Sequence, residues 1–205
     1  MKKWLMMALC LMLALNGAGA LAEQQAVTID NNDRTTSYEA APERVVALSY
    51  SNAELLAALG LEDKVVAIFP GMYVLDDVSA EYRETVAAMP LITEGLNRGT
   101  PNLETILDQE PDFVLGTYYN FKATSCGTPE DFETMGAHTY ANEGTYVSGA
   151  TLENTYNDIL NLGKIFRVEE RAEALVASMR EQEAEIREKC AALEPVSVFV
   201  YDSGE

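Results

Sequence analysis

The residues of this 205-residue sequence that could do chemistry are aromatic and polar side chains placed directly after short apolar runs. Tyr50 and Ser51 follow one such run, and Phe69, Met72 and Tyr73 follow a second. Asn97 and Arg98 come after Leu91-Ile92, and Tyr118, Tyr119, Asn120 and Phe121 after Asp112–Gly116. A later loop offers Tyr140, Asn142 and Tyr146. In open α/β sheets, ligands bind outside the carboxyl ends of the strands. Aromatic faces with a few polar groups and one arginine suit a large planar or catecholate-like ligand. Arg98 could pair with a ligand carboxylate or with the charge of an anionic chelate. Tyr118-Tyr119 opens a rival reading, direct ligation of ferric iron by hard phenolate oxygen. Adjacent residues of a continuing strand point to opposite faces, so both could ligate only beyond the strand end.

Enzyme signatures are missing: the sequence has no G-x-S-x-G elbow, no G-x-x-x-x-G-K loop and no H-E-x-x-H pair. A secreted hydrolase built on its many carboxylates stays open as a weaker alternative. A single histidine, His138, excludes a multi-histidine zinc site and is read as structural. The formal charge of −19 argues against a nucleic-acid partner and against docking on an anionic membrane surface.

The elements that must position these residues follow from hydrophobic pattern. Lys2-Lys3, the apolar run Trp4–Leu15 and Ala20-Leu21-Ala22 read as a signal peptide over 1–22. The predicted location is therefore periplasmic or extracellular, with no membrane insertion after cleavage. Cys10 is preceded by Leu9, not by the small residue of a lipobox. Cys126 and Cys190 remain, and an exported protein could join them.

Residues 26–38 predict a hairpin turning at Asn31-Asn32-Asp33. Arg44–Ser49, Lys64–Phe69 and Asp112–Gly116 read as buried strands, and a short strand is expected near Thr139-Tyr140. Helices are expected after a capping box at Ser51–Glu54, over Ser79–Met89, from Thr100-Pro101 and from Thr128–Asp131. Strands apolar on both faces, alternating with helices, predict an α/β Rossmann-like lobe with a parallel sheet over 23–150. Thr151 caps a long helical stretch to 194, with a break or kink suggested at Gly163 or Arg167-Val168. Val196–Tyr201 reads as a further buried strand, opening a new unit over 195–205 that is cut short.

Pro42-Glu43-Arg44-Val45-Val46-Ala47-Leu48, followed by Glu54–Gly60, resembles the start of the periplasmic binding proteins of iron–siderophore, haem and cobalamin ABC importers. Pro101–Leu107 with Pro111–Leu115, Leu162–Phe166 with Glu170-Arg171-Ala172, and Val198–Gly204 resemble later signatures of that family, in order. The resemblance implies two α/β lobes joined by one long helix, with ligand in the cleft between them. This chain would supply the first lobe, the helix and the first strand of the second lobe. It also implies a protein with no intrinsic cofactor, binding a ferric siderophore, haem or cobalamin and delivering it to an ABC permease. Glu104 matches the family glutamate that docks on the permease. Independently, an acid in the first turn of an exposed helix sits well with the helix dipole.

Overall fold

The structure is a computed structural model that describes residues 25–200. The expected signal peptide and residues 201–205 lie outside the described residues. The chain opens with an antiparallel hairpin, β1 (Val27–Asn31) and β2 (Arg34–Tyr38). Its turn residues Asn32 and Asp33 both have positive φ, the geometry that Asn and Asp tolerate best among non-glycine residues.

The main sheet contains β3 (Val45–Ala47), β4 (Val65–Ile68), β5 (Phe113–Gly116) and β6 (His138–Ala141). Its order is β4-β3-β5-β6 and every pairing is parallel. Leu91 adds a parallel bridge to Ile68 at the β4 edge. All three residues of β3 and all four of β5 are buried, as the run of apolar residues requires for a sheet covered on both faces. The lobe is thus the parallel α/β architecture expected from the sequence.

One face of the sheet packs on α1 (Tyr50–Ala58), α2 (Arg83–Ala88) and the first of two C-terminal helices, α5 (Leu152–Phe166). The other face is closed by α3 (Leu103–Leu107), α4 (Pro129–Thr134), Phe121 and Cys126. The caps follow local chemistry. Thr128 accepts from the Asp131 amide while Asp131 reaches back to the Thr128 amide, and Thr151 caps α5. The α1 cap is Ser49, whose hydroxyl accepts from the Asn52 amide at 3.1 Å, two residues before the expected Ser51. The helix starts early because Tyr50 turns directly into the core. The expected Ser79–Met89 helix is confined to α2 by a turn at Ser79–Tyr82.

The stretch 151–194 is not one helix. After α5 the chain passes through Arg167, which is left-handed at φ 60°, and Val168 into α6 (Glu169–Cys190). The Arg167 guanidinium supports that backbone by donating to the Tyr38 and Gln25 carbonyls, each at 3.1 Å. α5 and α6 then pack against each other, with Gly163 so close to Ala172 that a Cβ there would collide with the alanine methyl. Residues 196–200 form no strand, and Val198, Phe199 and Val200 are exposed. A strand needs an edge to pair with, and none of the described sheet edges meets this segment. Cys126 is buried in the second core and Cys190 lies exposed at the end of α6; both thiols are free. Among the described residues no helix is long and apolar enough to cross a membrane.

Candidate functional site

An open cleft of about 900 Å³ lies at the carboxyl ends of β3 and β5. The chain leaves β3 toward β4 on one side and β5 toward β6 on the other, so this is the point where strand order reverses. Ser49, the α1 cap, forms part of the lining, and no acidic residue occupies the first turn of α1. The partial positive charge of that helix start is therefore uncompensated by its own side chains.

Three loops build the walls. Pro70-Gly71 ends the β4 unit and presents Met72 and Tyr73, 89% and 51% exposed. The second wall is a small hairpin. Asn97 and Thr100 exchange backbone hydrogen bonds of 2.9 and 3.1 Å around the two-residue loop Arg98-Gly99. Both loop residues have positive φ, 52° and 81°, so Arg98 stands at the tip of a tight primed turn. Gly99 is required twice over. Its φ favours glycine, and a Cβ would run into the Gly71 carbonyl; the Gly71 amide donates to the Gly99 carbonyl at 3.2 Å. The first two walls are therefore one unit.

The third wall follows β5. Asn120 folds this loop: its side-chain oxygen accepts from the Thr117 amide and hydroxyl, both at 2.8 Å. Its backbone carbonyl accepts from the Lys122 and Cys126 amides. Tyr119 projects from the loop, 68% exposed, while Tyr118 turns back. The two rings meet edge to face at 5.6 Å, and the Lys122 ammonium sits 3.2 Å from the Tyr118 ring centroid. Burial pushes the Cys126 thiol up, against hydrogen bonds from Ser125 and Asn120 that act the other way.

Of the residues expected to contact ligand, Met72, Tyr73, Asn97, Arg98, Tyr119 and Asn120 come together in this cleft. The other six do not. Phe69 is fully buried in the second core, where Phe121 stacks edge-on against Phe132 at 6.0 Å. Tyr50 belongs to the first core, and Ser51 is exposed on α1 and does not line the cleft. Tyr118 is held behind Tyr119 by Lys122 and Tyr146. Tyr140 is 1% exposed because α5 crosses over it. Its hydroxyl donates to Asp158 at 2.9 Å and accepts from Asn161 at 3.2 Å. Asp158 also accepts from the Glu143 amide at 3.0 Å, and burial pushes its carboxyl up to about 7. His138 is likewise structural, packed on Tyr38 with 5.1 Å between rings.

Sequence reasoning missed Ser49, Thr100, Asn102, Thr117, Ser125 and Thr145 as lining residues. Their visible signal was turn and cap chemistry, which hid their exposure to the cleft. Asn102 shows both roles, accepting from the Thr105 amide at 2.8 Å to cap α3 while lining the cleft. Glu104 is exposed in the first turn of α3, two residues beyond that lining position.

Residues 45–205 match the model of a family described as periplasmic binding protein. An ABC transporter substrate-binding lipoprotein of Bacillus subtilis, YvrC, itself uncharacterised, is 29% identical over 180 residues, covering 85% of this chain and 51% of its own. A periplasmic binding protein from Veillonella parvula superposes with a TM-score of 0.73 at 30% identity, covering 84% of this chain and 55% of its own. An ABC-type Fe3+-hydroxamate transport system protein from Saccharomonospora viridis gives 0.65 at 28% identity, covering 79% and 56%. The chain thus spans about half the length of the relatives it matches. With its parallel α/β lobe, its cleft at the strand ends and a family match over most of its length, the chain belongs to the periplasmic binding protein family.

Proposed function

We propose that this chain is one lobe, with its helical connector, of an exported solute-binding protein that captures a metal chelate and delivers it to an ABC permease. Residues 23–150 form the lobe, 151–194 the connector, and 195–205 the start of a second lobe. The observation that carries the reading is the open cleft at the switch point, walled by Met72, Tyr73 and Tyr119 with Arg98 in its lining. Its size and mixed apolar and polar lining suit a bulky complex with an aromatic or amide periphery. A ferric siderophore is the favoured ligand, in keeping with the hydroxamate-transport description of the Saccharomonospora protein; haem and cobalamin fit the same walls. The protein's work is binding and handover, without bond chemistry. Its place is periplasmic or extracellular.

The tandem-tyrosine reading is less well supported. Lys122 over the Tyr118 ring sets a positive charge close to the phenolate that would have to hold a ferric ion, and Tyr118 does not line the cleft. Glu104 is the proposed permease contact, exposed near the cleft mouth and available to a basic partner.

The test is equilibrium titration of the chain with ferric trihydroxamate, haem and cobalamin, read by tyrosine emission. Saturable quenching without turnover of the ligand is expected for at least one of them, and loss of that quenching in Tyr119→Ala. Saturable binding of bare ferric ion in preference to every chelate would contradict the reading.

A further inference from the structure

We infer that this cleft selects a bulky complex of low net charge, neutral or carrying one localised negative group, over a polyanionic one. The inference rests on the chelate reading above and narrows its ligand class. The sequence holds 33 acidic residues against 14 basic ones, yet no acid lines the cleft and Arg98 is its one cationic lining residue among the described residues. The rest of the polar lining is neutral hydroxyl and amide, such as Ser49, Asn97, Thr117 and Asn120. Lys122, the nearest other cation in the β5 loop, is held on the Tyr118 ring and does not line the cleft.

Acids close in sequence to the lining are not part of it. Glu94, Glu104 and Glu143 each lie within two residues of the lining positions Gly95, Asn102 and Thr145. Glu104 is among the exposed residues, and Glu143 keeps its carboxylate on the Asn157 amide at 3.0 Å. A ligand approaching the mouth therefore meets the field of a strongly acidic protein, and inside it meets one guanidinium and the start of α1. One negative group can be matched by Arg98. Further negative groups would be taken from water and left opposite neutral donors, which compensate a charge poorly. Neutral hydroxyls and amides are instead well matched to the amide and carbonyl surface of an uncharged chelate.

The test compares two ferric complexes of similar bulk on the whole chain, a trihydroxamate with at most one net charge and a trianionic tris-catecholate. Tyrosine quenching is expected to show roughly 30-fold or greater preference for the trihydroxamate at low salt. Raising the salt should improve tris-catecholate binding by screening repulsion, while changing trihydroxamate binding less than about twofold. Thr124→Lys, which adds a cation to an exposed lining position, should raise tris-catecholate affinity about tenfold. Equal or tighter binding of the tris-catecholate, or binding that weakens with salt, would overturn the charge inference and leave the chelate reading standing. No binding of either complex, of haem or of cobalamin up to about 1 mM would overturn the chelate reading itself, and the inference with it.

Discussion

Tyrosines that stand near the carboxyl ends of the strands in this lobe meet opposite fates. Tyr73 and Tyr119 stand more than half exposed on loops that are folded by their own backbone hydrogen bonds. Tyr140 sits at a comparable place, inside the last strand near its carboxyl end, yet is sealed by α5 and tied to Asp158 and Asn161. The first region is a cleft wall whose side chains stabilise little and are free to meet a ligand. The second is a junction where β6, the Glu143–Thr145 turn and α5 share one buried polar cluster. The side chains thus acquire their roles from what packs over them: a position near the carboxyl end of a strand is common to all three.

The widest separation between the regions should appear in paired alanine variants. Tyr140→Ala removes a buried ring and leaves Asp158 short of a donor, and should cost about 3–5 kcal/mol in chemical denaturation. Tyr119→Ala should shift stability by no more than about 0.5 kcal/mol. Similar losses at the two positions would erase the distinction.

The junction should also carry a pH dependence. The Asp158 carboxyl is pushed up to about 7, chiefly by burial, against the hydrogen bonds it accepts from Glu143 and Tyr140. Between its ordinary range near 4 and about 7, the unfolded chain binds fewer protons at this site than the folded one. Stability should therefore fall as pH rises through that interval, by on the order of a few kcal/mol, and level off above it. Asp158→Asn should remove that part of the slope, measured as the difference between the two denaturation profiles. Parallel profiles would place an unshifted carboxylate in the junction.

Gly99→Ala sharpens the cleft side. A Cβ at this left-handed position must displace the Gly71 carbonyl, so the wall carrying Arg98, Met72 and Tyr73 should loosen. A cost of about 1–2 kcal/mol in stability is expected, with a larger proportional loss of chelate affinity. Gly95→Ala, also at positive φ but with open space around its Cβ, is the matched comparison. Equal losses of affinity in both would remove the Gly71–Gly99 clasp from the account. The smallest effect on the isolated protein is expected from Glu104→Ala, with chelate affinity unchanged within about twofold. Uptake through the permease should fall, and unchanged uptake would leave Glu104 with a helix-start role only.

Much of the lobe was legible in sequence because its determinants are local. Val45–Ala47 and Phe113–Gly116 are apolar on both faces, and the Thr128–Asp131 and Thr151 caps are written in the residues that make them. The loops after the strands were legible as a region, and Arg98, Tyr73 and Tyr119 within it. The fate of Tyr140 was not, because it depends on α5 crossing a strand that precedes it by some twenty residues. Phe69 and Phe121 were likewise assigned to the cleft although they close the second core, a choice made by α3 and α4 packing on the sheet. The break at Arg167 was flagged only by a weak pattern. What fixes it is long-range, the guanidinium reaching the carbonyls of Tyr38 and Gln25.

The location of the ligand site is the central claim, and backbone hydrogen exchange with and without a saturating ferric trihydroxamate tests it directly. The account predicts added protection at residues 71–73, 95–102 and 117–125, the three walls of the cleft, with none at the β1–β2 hairpin or along α6. Protection centred on α6 or the hairpin, with the three walls unchanged, would contradict it.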